Sequence, residues 1–354
     1  MDITKINDKR LQKEFRGITF SGYKKTEVKK QLISCITASK YEESCYWAAE
    51  FICSGHYGEI WEIILSYMSK NIHLGNPKLP IYIELRYNAF RDIVNAGYVD
   101  NELKMRNNDK IRRLFAEIFC VLCSSKKRNS FNSIKVSHDD FNLCNLTTRL
   151  KAPSLNYGQN IFRSGDPKDL FVAINEFMFN LLRGNTQEVF WWLEWFITYE
   201  SVCKKNKKKM ACVRRDNIPV VSNLQTDIIW ILWDGILFCS TKKSNGYIKI
   251  IKALLNNYCI RYSSGVKKRR RFIMYFAISI LCLPCDLSTN IIDNGEIIQK
   301  ISSKINIIYK QIKKNEQEPK TGYLFKNLNS GNLEKTVAKL DIMSQINTFL
   351  PRKD

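Results

Sequence analysis

Two C-x-x-C pairs, Cys120 with Cys123 and Cys282 with Cys285, hold the side chains best suited to chemistry in this sequence. Together their four thiolates would complete a tetrahedral zinc site; either pair alone would serve thiol–disulfide exchange. Their surroundings argue for something plainer. Cys120 and Cys123 lie in an apolar run beside Phe119 and Leu122, whereas structural zinc pairs sit on tight turns with Gly or polar neighbours. Cys282 and Cys285 flank Pro284, a better setting, but exchange chemistry of the thioredoxin kind needs a βαβ context that is missing here. Most of the twelve cysteines occupy apolar positions of helical patterns. There a free thiol acts as a small hydrophobe, in a reducing compartment. The expectation is core cysteines, no metal and no cofactor.

The other catalytic residue types are sparse. His56, His73 and His138 are the three histidines, and none has H-x-x-x-H or H-E-x-x-H spacing. No phosphate-binding G-x-x-x-x-G-K-[ST], no G-x-G-x-x-G and no G-x-S-x-G occurs. Glu50 and Glu194 each follow a Trp in a W-x-x-E-aromatic pattern; each is expected to meet an Arg or Lys from a neighbouring helix or to face solvent. Trp191, Trp192 and Trp195 spread over more than one helix face, so at least one ring leaves the main core stripe. Base stacking is one use for such a ring; packing against an adjacent helix is the expected one.

Charge carries more. The formal net charge is +22 over 354 residues, far beyond what solubility requires. Two dense runs hold much of it: Lys204, Lys205, Lys207, Lys208, Lys209, Arg214 and Arg215, then Lys267, Lys268, Arg269, Arg270 and Arg271. Further cations stand at Lys104, Arg106, Lys110, Arg112, Arg113 and Lys126-Lys127-Arg128. Such a surplus names a polyanion as partner, DNA or RNA, held by sequence-independent phosphate contacts. The two runs with Arg112 and Arg113 are the expected contact residues. No recognition-helix signature implies base readout.

These residues are carried by helices. Apolar side chains recur at helical spacing: Val28, Leu32, Cys35 and Ile36; Cys45, Ala48, Ala49 and Ile52; Ile111, Leu114, Phe115, Ile118, Phe119 and Leu122; Leu170, Ile174, Phe177, Met178 and Leu181; Ile297, Ile298, Ile301, Ile305, Ile308 and Ile312. Ser39 to Glu42 and Ser222 to Gln225 read as capping boxes, and Asp109 and Asp166 as caps. Phe131 to Val136 reads as a short strand. Phe272 to Leu283 is apolar nearly all round and so central, yet too short to span a bilayer. Met1 to Lys5 shows no apolar signal segment. The class is all-α, about a dozen helices in paired, α-solenoid-like (HEAT-like) packing. It comprises an N-terminal half 1–150, a C-terminal half 151–315, and 316–354 with a terminal amphipathic helix around Leu333 to Ile346. Trp47-Ala48-Ala49-Glu50-Phe51 matches Trp191-Trp192-Leu193-Glu194-Trp195, and an Arg-Arg pair precedes a C-x-x-C in both halves. An internal duplication would account for that order.

Several blocks resemble a known family. Phe15-Arg16-Gly17-Ile18-Thr19-Phe20, Tyr46 to His56, Ile72-His73-Leu74-Gly75-Asn76-Pro77-Lys78 and Arg149-Leu150-Lys151-Ala152-Pro153 resemble a conserved protein family of nucleocytoplasmic large DNA viruses of the mimivirus and chlorella-virus type. The resemblance covers most of the chain and transfers no catalytic residue. It implies a protein of the host cytoplasm or virus factory, acting in genome replication or gene expression. The abundance of Lys, Asn and Ile agrees with an AT-rich genome. The expected function is a non-enzymatic nucleic-acid-binding scaffold with protein partners in a viral complex, for example in translation initiation. The competing expectations are a virion assembly protein meeting packaged genome or a membrane surface, and a zinc-containing or cryptic enzyme.

Overall fold

The computed structural model describes residues 4–99, 101–292 and 295–317, and leaves the side chain of Leu143 aside. The expected helix at Leu333 to Ile346 lies outside the described residues. Those described fall into two units: 4–6 with 11–315, and 7–10 with 316 and 317. In the smaller unit, Arg10 forms a salt bridge to Asp8 at 2.6 Å, and the Gln317 N–H donates to Asp8 at 2.8 Å.

The larger unit is helical: α1 (Lys25–Thr37), α2 (Tyr41–Cys53), α3 (Tyr57–Tyr67), α4 (Leu79–Asn95), α5 (Asp109–Ser124), α6 (Leu143–Thr147), α7 (Phe171–Arg183), α8 (Thr186–Lys205), α9 (Ile229–Thr241), α10 (Asn245–Cys259), α11 (Lys267–Cys282) and α12 (Gly295–Lys313). Among the described residues no strand forms; an isolated bridge joins Ile18 and Lys24. The expected strand at Phe131 to Val136 is an irregular segment instead. Its Ile134 N–H donates to the Tyr275 hydroxyl at 3.3 Å, where a partner strand would otherwise be needed.

The helical stripes become the core. Val28, Leu32 and Ile36 of α1 and every stripe residue of α5 are buried. In α11, Ile273 to Leu281 are buried without a break, and the helix contacts α3, α7, α8, α9 and α10. Each large apolar side chain so enclosed contributes about 1.5–3 kcal/mol. Pro284 lacks an N–H, so the helical ladder cannot pass it. In α12, Ile298, Ile305 and Ile312 are buried as expected, Tyr309 joins them, and Ile297 is turned outward. Residues 151–158 lie along α7: Glu176 accepts the N–H groups of Lys151 and Ala152, and Asn175 that of Gly158. Because α4 packs on α10 and α3 on α11, elements from either side of that segment share one core.

The helix starts depart from the expected caps. Ser39 has φ +54° and its hydroxyl donates to the Cys123 carbonyl at 2.9 Å, so it ties two helices together rather than capping α2. Ser222 opens a short 3-10 turn instead of capping α9, and Gln225 donates to the Ile218 carbonyl; α9 begins only at Ile229. Asn108, not Asp109, caps α5, accepting from the N–H groups of Lys110 and Ile111 at 2.9 and 3.3 Å. Gly75 marks a close approach. A Cβ there would stand 2.1 Å from the Lys126 carbonyl oxygen, because the chain at 128–130 hydrogen-bonds back onto Asn71 and Lys70.

Candidate nucleic-acid interface

The 3.6-residue period sorts the second basic run at once. Lys267, Arg270 and Arg271 share a face with Met274 and Ile278, so the first turn of α11 carries them inward; Lys268 and Arg269 point away. A buried cation is tolerated only when paired and hydrogen-bonded. The fold supplies a carboxylate from a different helix or turn for each. Lys267 meets Glu200 of α8 and, at 2.9 Å, Asp227 ahead of α9. Arg270 reaches Glu62 of α3 and donates to the Tyr258 and Ile260 carbonyls. Arg271 meets Glu194 of α8 at 3.2 Å, and the Tyr275 hydroxyl donates to the same carboxylate at 2.9 Å. Burial pushes the Glu200 carboxyl above its ordinary range, against the pull of Lys267. Glu194 thus meets an Arg as expected. Glu50, fully buried, instead accepts from the Ser21 N–H and hydroxyl.

Arg215 and Arg112 are interior as well. All five N–H donors of Arg215 are used: two on Asp166, one on Asp234, and one each on the Val213 and Ile161 carbonyls. Asp166, expected as a helix cap, is spent on this pair and on the N–H groups of Arg163 and Val213. Arg112 likewise uses all five donors, on the Arg106 and Thr4 carbonyls, the Thr4 hydroxyl, Asn306 and Asn107. Its guanidinium lies 4.1 Å from the Tyr309 ring centroid, a cation–π contact. The expectation that Arg112, Arg215, Lys267, Arg270 and Arg271 touch phosphate is therefore corrected. Arg112 and Arg215 have every donor committed inside the protein, and Lys267, Arg270 and Arg271 are each held by a carboxylate, so a phosphate would have to displace a partner already in place.

The remaining expected contact residues are exposed. Lys208 pairs with Asp169, Arg214 with Asp216 at 2.6 Å, Arg269 with Glu62 at 3.2 Å, and Arg113 with Asp109 at 2.7 Å. Lys204, Lys205, Lys207, Lys209 and Lys268 have no ion pair among the described residues. Exposed pairs of this kind are worth about 0–1 kcal/mol and exchange readily for another anion. Arg113, on α5, lies apart from the rest.

Two clefts flank the start of α11. One, of about 360 Å³, has Lys204, Lys207, Lys208 and Lys209 on its rim with Glu200, Asp227 and Ser264. The other, of about 510 Å³, brings Arg269 to Lys25 and Lys29 of α1 and to Arg261. The sequence analysis missed Lys25, Lys29 and Arg261. Lys25 and Lys29 belong to short Lys-Lys pairs and Arg261 stands alone in sequence, and only the packing of α1 and α3 near α11 assembles them. Arg261 carries a second signal, φ +45°, at the end of α10.

The other candidates have structural explanations. Trp191, Trp192 and Trp195 are all buried, so none offers a face for base stacking. Cys120 and Cys123 are buried on α5; Cys45 and Cys120 stand 3.9 Å apart, and Cys123 donates to the Ser44 hydroxyl. Burial pushes the thiols of Cys123 and Cys282 up to about 12 and that of Cys285 to about 11, which opposes the thiolate that zinc needs. Among the described residues no group of three or more His, Cys, Asp or Glu is placed to hold a metal ion. None of their helices is long and apolar enough to cross a membrane. In comparisons with known proteins, no family model, no curated protein and no solved structure matches this chain.

Proposed function

We propose that the chain is a non-enzymatic helical scaffold that holds the phosphate backbone of a nucleic acid across the surface around the start of α11. One observation carries this reading. The inward cations of the second basic run are already neutralised by Glu200, Asp227, Glu62 and Glu194, yet the outward ones remain, beside a lysine-rimmed cleft. Cations at a helix N-terminus oppose the macrodipole, and α11 has no acidic residue in its first turn. A polyanion laid there relieves both. The contact set is Lys204, Lys205, Lys207, Lys208, Lys209, Arg214, Lys268 and Arg269. The contacts are to phosphate, so affinity follows charge rather than sequence.

The finer parts of the proposal follow the sequence resemblance: a place in viral gene expression or genome replication, in host cytoplasm or virus factory, with other faces of the helical array open to protein partners. The paired, solenoid-like arrangement and the internal duplication belong to the same proposal. Crosslinking to nucleic acid in infected cells, with sequencing of what is bound, tests it. Reversing charge at Lys207, Lys208 and Lys209 is expected to weaken binding on every sequence alike. A loss confined to one sequence motif overturns it.

A further inference from the structure

Lys126-Lys127-Arg128 stand outside the contact set above. They open the segment 125–138, which joins α5 to the turn at Asp139 without regular structure. Irregular segments beyond about 12–15 residues are uncommon in compact domains and usually either functional or disordered. This one is held in place. The N–H groups of Arg128 and Ser130 donate to the Asn71 and Lys70 carbonyls at 3.0 and 2.7 Å. Phe131 packs on Phe190 of α8, with ring centroids 5.1 Å apart, and the Ile134 N–H reaches Tyr275 of α11. The segment therefore crosses the seam between α8 and α11, and it has no acidic residue from Ser124 to His138.

Its cations sort as those of α11 do. Lys127 is committed: its ammonium donates to the Leu122 and Cys123 carbonyls and closes α5. Lys126, Arg128 and the neighbouring Lys70 are exposed, without an ion pair among the described residues. Lys70 lies over the Phe272 ring, 5.3 Å from its centroid. Phe272 stands one turn from Lys268 on the same side of α11, so Lys70 prolongs the row of cations that begins there. Lys126 and Arg128 line a cleft of about 470 Å³ with Leu74, Pro77, Pro284 and Asp286. Pro284 follows the end of α11, about 24 Å from its start. Asp286, the carboxylate on that wall, already accepts the Ser288 N–H and hydroxyl.

We infer that this face holds a single strand, whose phosphates run along α11 from the lysine-rimmed cleft past Lys268 and Lys70 to Lys126 and Arg128. The inference rests on the polyanion reading above and adds Lys70, Lys126 and Arg128 to it. Along this path the cations pass from open surface into a cleft, and a flexible strand follows them. A double helix is straight over such a distance and too broad for the cleft. It stays at the start of α11, on the five unpaired lysines there.

Fluorescence anisotropy with a labelled oligothymidine and with a labelled duplex of equal length, both longer than α11, tests this on the full chain from about 50 to 200 mM salt. Eight unpaired cations give the single strand a slope of log affinity against log salt of about −5.6, hence about a 2,000-fold loss of affinity. Five leave about −3.5 and about a 130-fold loss. Lys70→Glu with Lys126→Glu and Arg128→Glu, all at exposed positions, is expected to move the single strand from the first slope to the second. Duplex binding is expected to stay within about twofold, since none of the three touches it. The neutral set Lys70→Gln, Lys126→Gln and Arg128→Gln is expected to give the same slopes, and circular dichroism confirms that both variants fold. A single-strand slope unchanged in both variants, or an equal loss on the duplex, overturns the single-strand path but leaves polyanion binding standing. Binding of neither form by the wild type overturns the polyanion reading itself.

Discussion

If the chain holds nucleic acid as proposed, the pairing of its cations sets how steeply that binding falls with salt. If every cation named from the two runs and from Arg112 and Arg113 engaged duplex phosphate, the slope of log affinity against log salt would be about −13. The fold withdraws Arg112, Arg215, Lys267, Arg270 and Arg271 into pairs and hydrogen bonds. Of the eight proposed contacts, Lys208, Arg214 and Arg269 already hold a carboxylate and so displace fewer counterions, which leaves Lys204, Lys205, Lys207, Lys209 and Lys268 exposed without an ion pair among the described residues. Five phosphates give a slope of about −4.5, hence about a 500-fold loss of affinity from 50 to 200 mM salt. Lys207→Glu with Lys209→Glu removes two of them, which lowers the slope to about −2.7 and the loss to about 40-fold. Anisotropy of a labelled duplex across that salt range reads both numbers. Lys267→Gln, measured on folded protein, is expected to leave the slope where it was. A wild-type slope steeper than about −8, or one that the double reversal does not change, refutes the division into committed and available cations.

Three further outcomes follow from the interior. Arg215→Ala leaves Asp166 fully buried without its two-pronged partner, and the urea midpoint is expected to fall by the equivalent of about 3–5 kcal/mol; a loss under about 1 kcal/mol contradicts the assignment. His73 is buried and its imidazole is pushed down from 6.5 to about 4 by that burial. The unfolded chain therefore takes up a proton that the folded chain refuses, and stability falls as pH drops from about 6.5 to about 4, by about 3 kcal/mol. His73→Asn, which tolerates the φ of +47°, is expected to flatten that part of the profile, and an unchanged slope contradicts it. Gly75→Ala drives a methyl group into the Lys126 carbonyl and is expected to cost about 1–3 kcal/mol in chemical denaturation; an unchanged midpoint contradicts the close approach.

The helices were legible because an apolar stripe repeats over many residues, as in α5, where every expected position from Ile111 to Leu122 is buried. The caps were not, because one side chain settles each. Ser39 has a better acceptor in Cys123, 84 residues away in sequence, than in its own helix. The basic run in α11 held its answer in plain view. Lys267, Arg270 and Arg271 continue the stripe of Met274 and Ile278, and helical period alone separates them from Lys268 and Arg269. No such period exists in the loop before Asp216, so the commitment of Arg215 to Asp166 and Asp234 needed coordinates. The larger cleft beside the start of α11 was equally hidden, since Lys25, Lys29, Arg261 and Arg269 meet only through tertiary packing.

Glu62 is sealed by Arg270, 208 residues further along the chain, and Arg112 by Asn306, 194 residues on. Translation delivers α3 and α5 long before their partners. A ribosome that has just released α5 therefore holds an acidic group without its native counterpart and a guanidinium still missing Asn306 and the Tyr309 ring, and neither is fully shut away until α11 and α12 emerge. Domains usually condense in the order of synthesis; here that order is frustrated. Arrested nascent chains ending before Lys267 should remain protease-sensitive throughout, and compaction should arrive late and all at once.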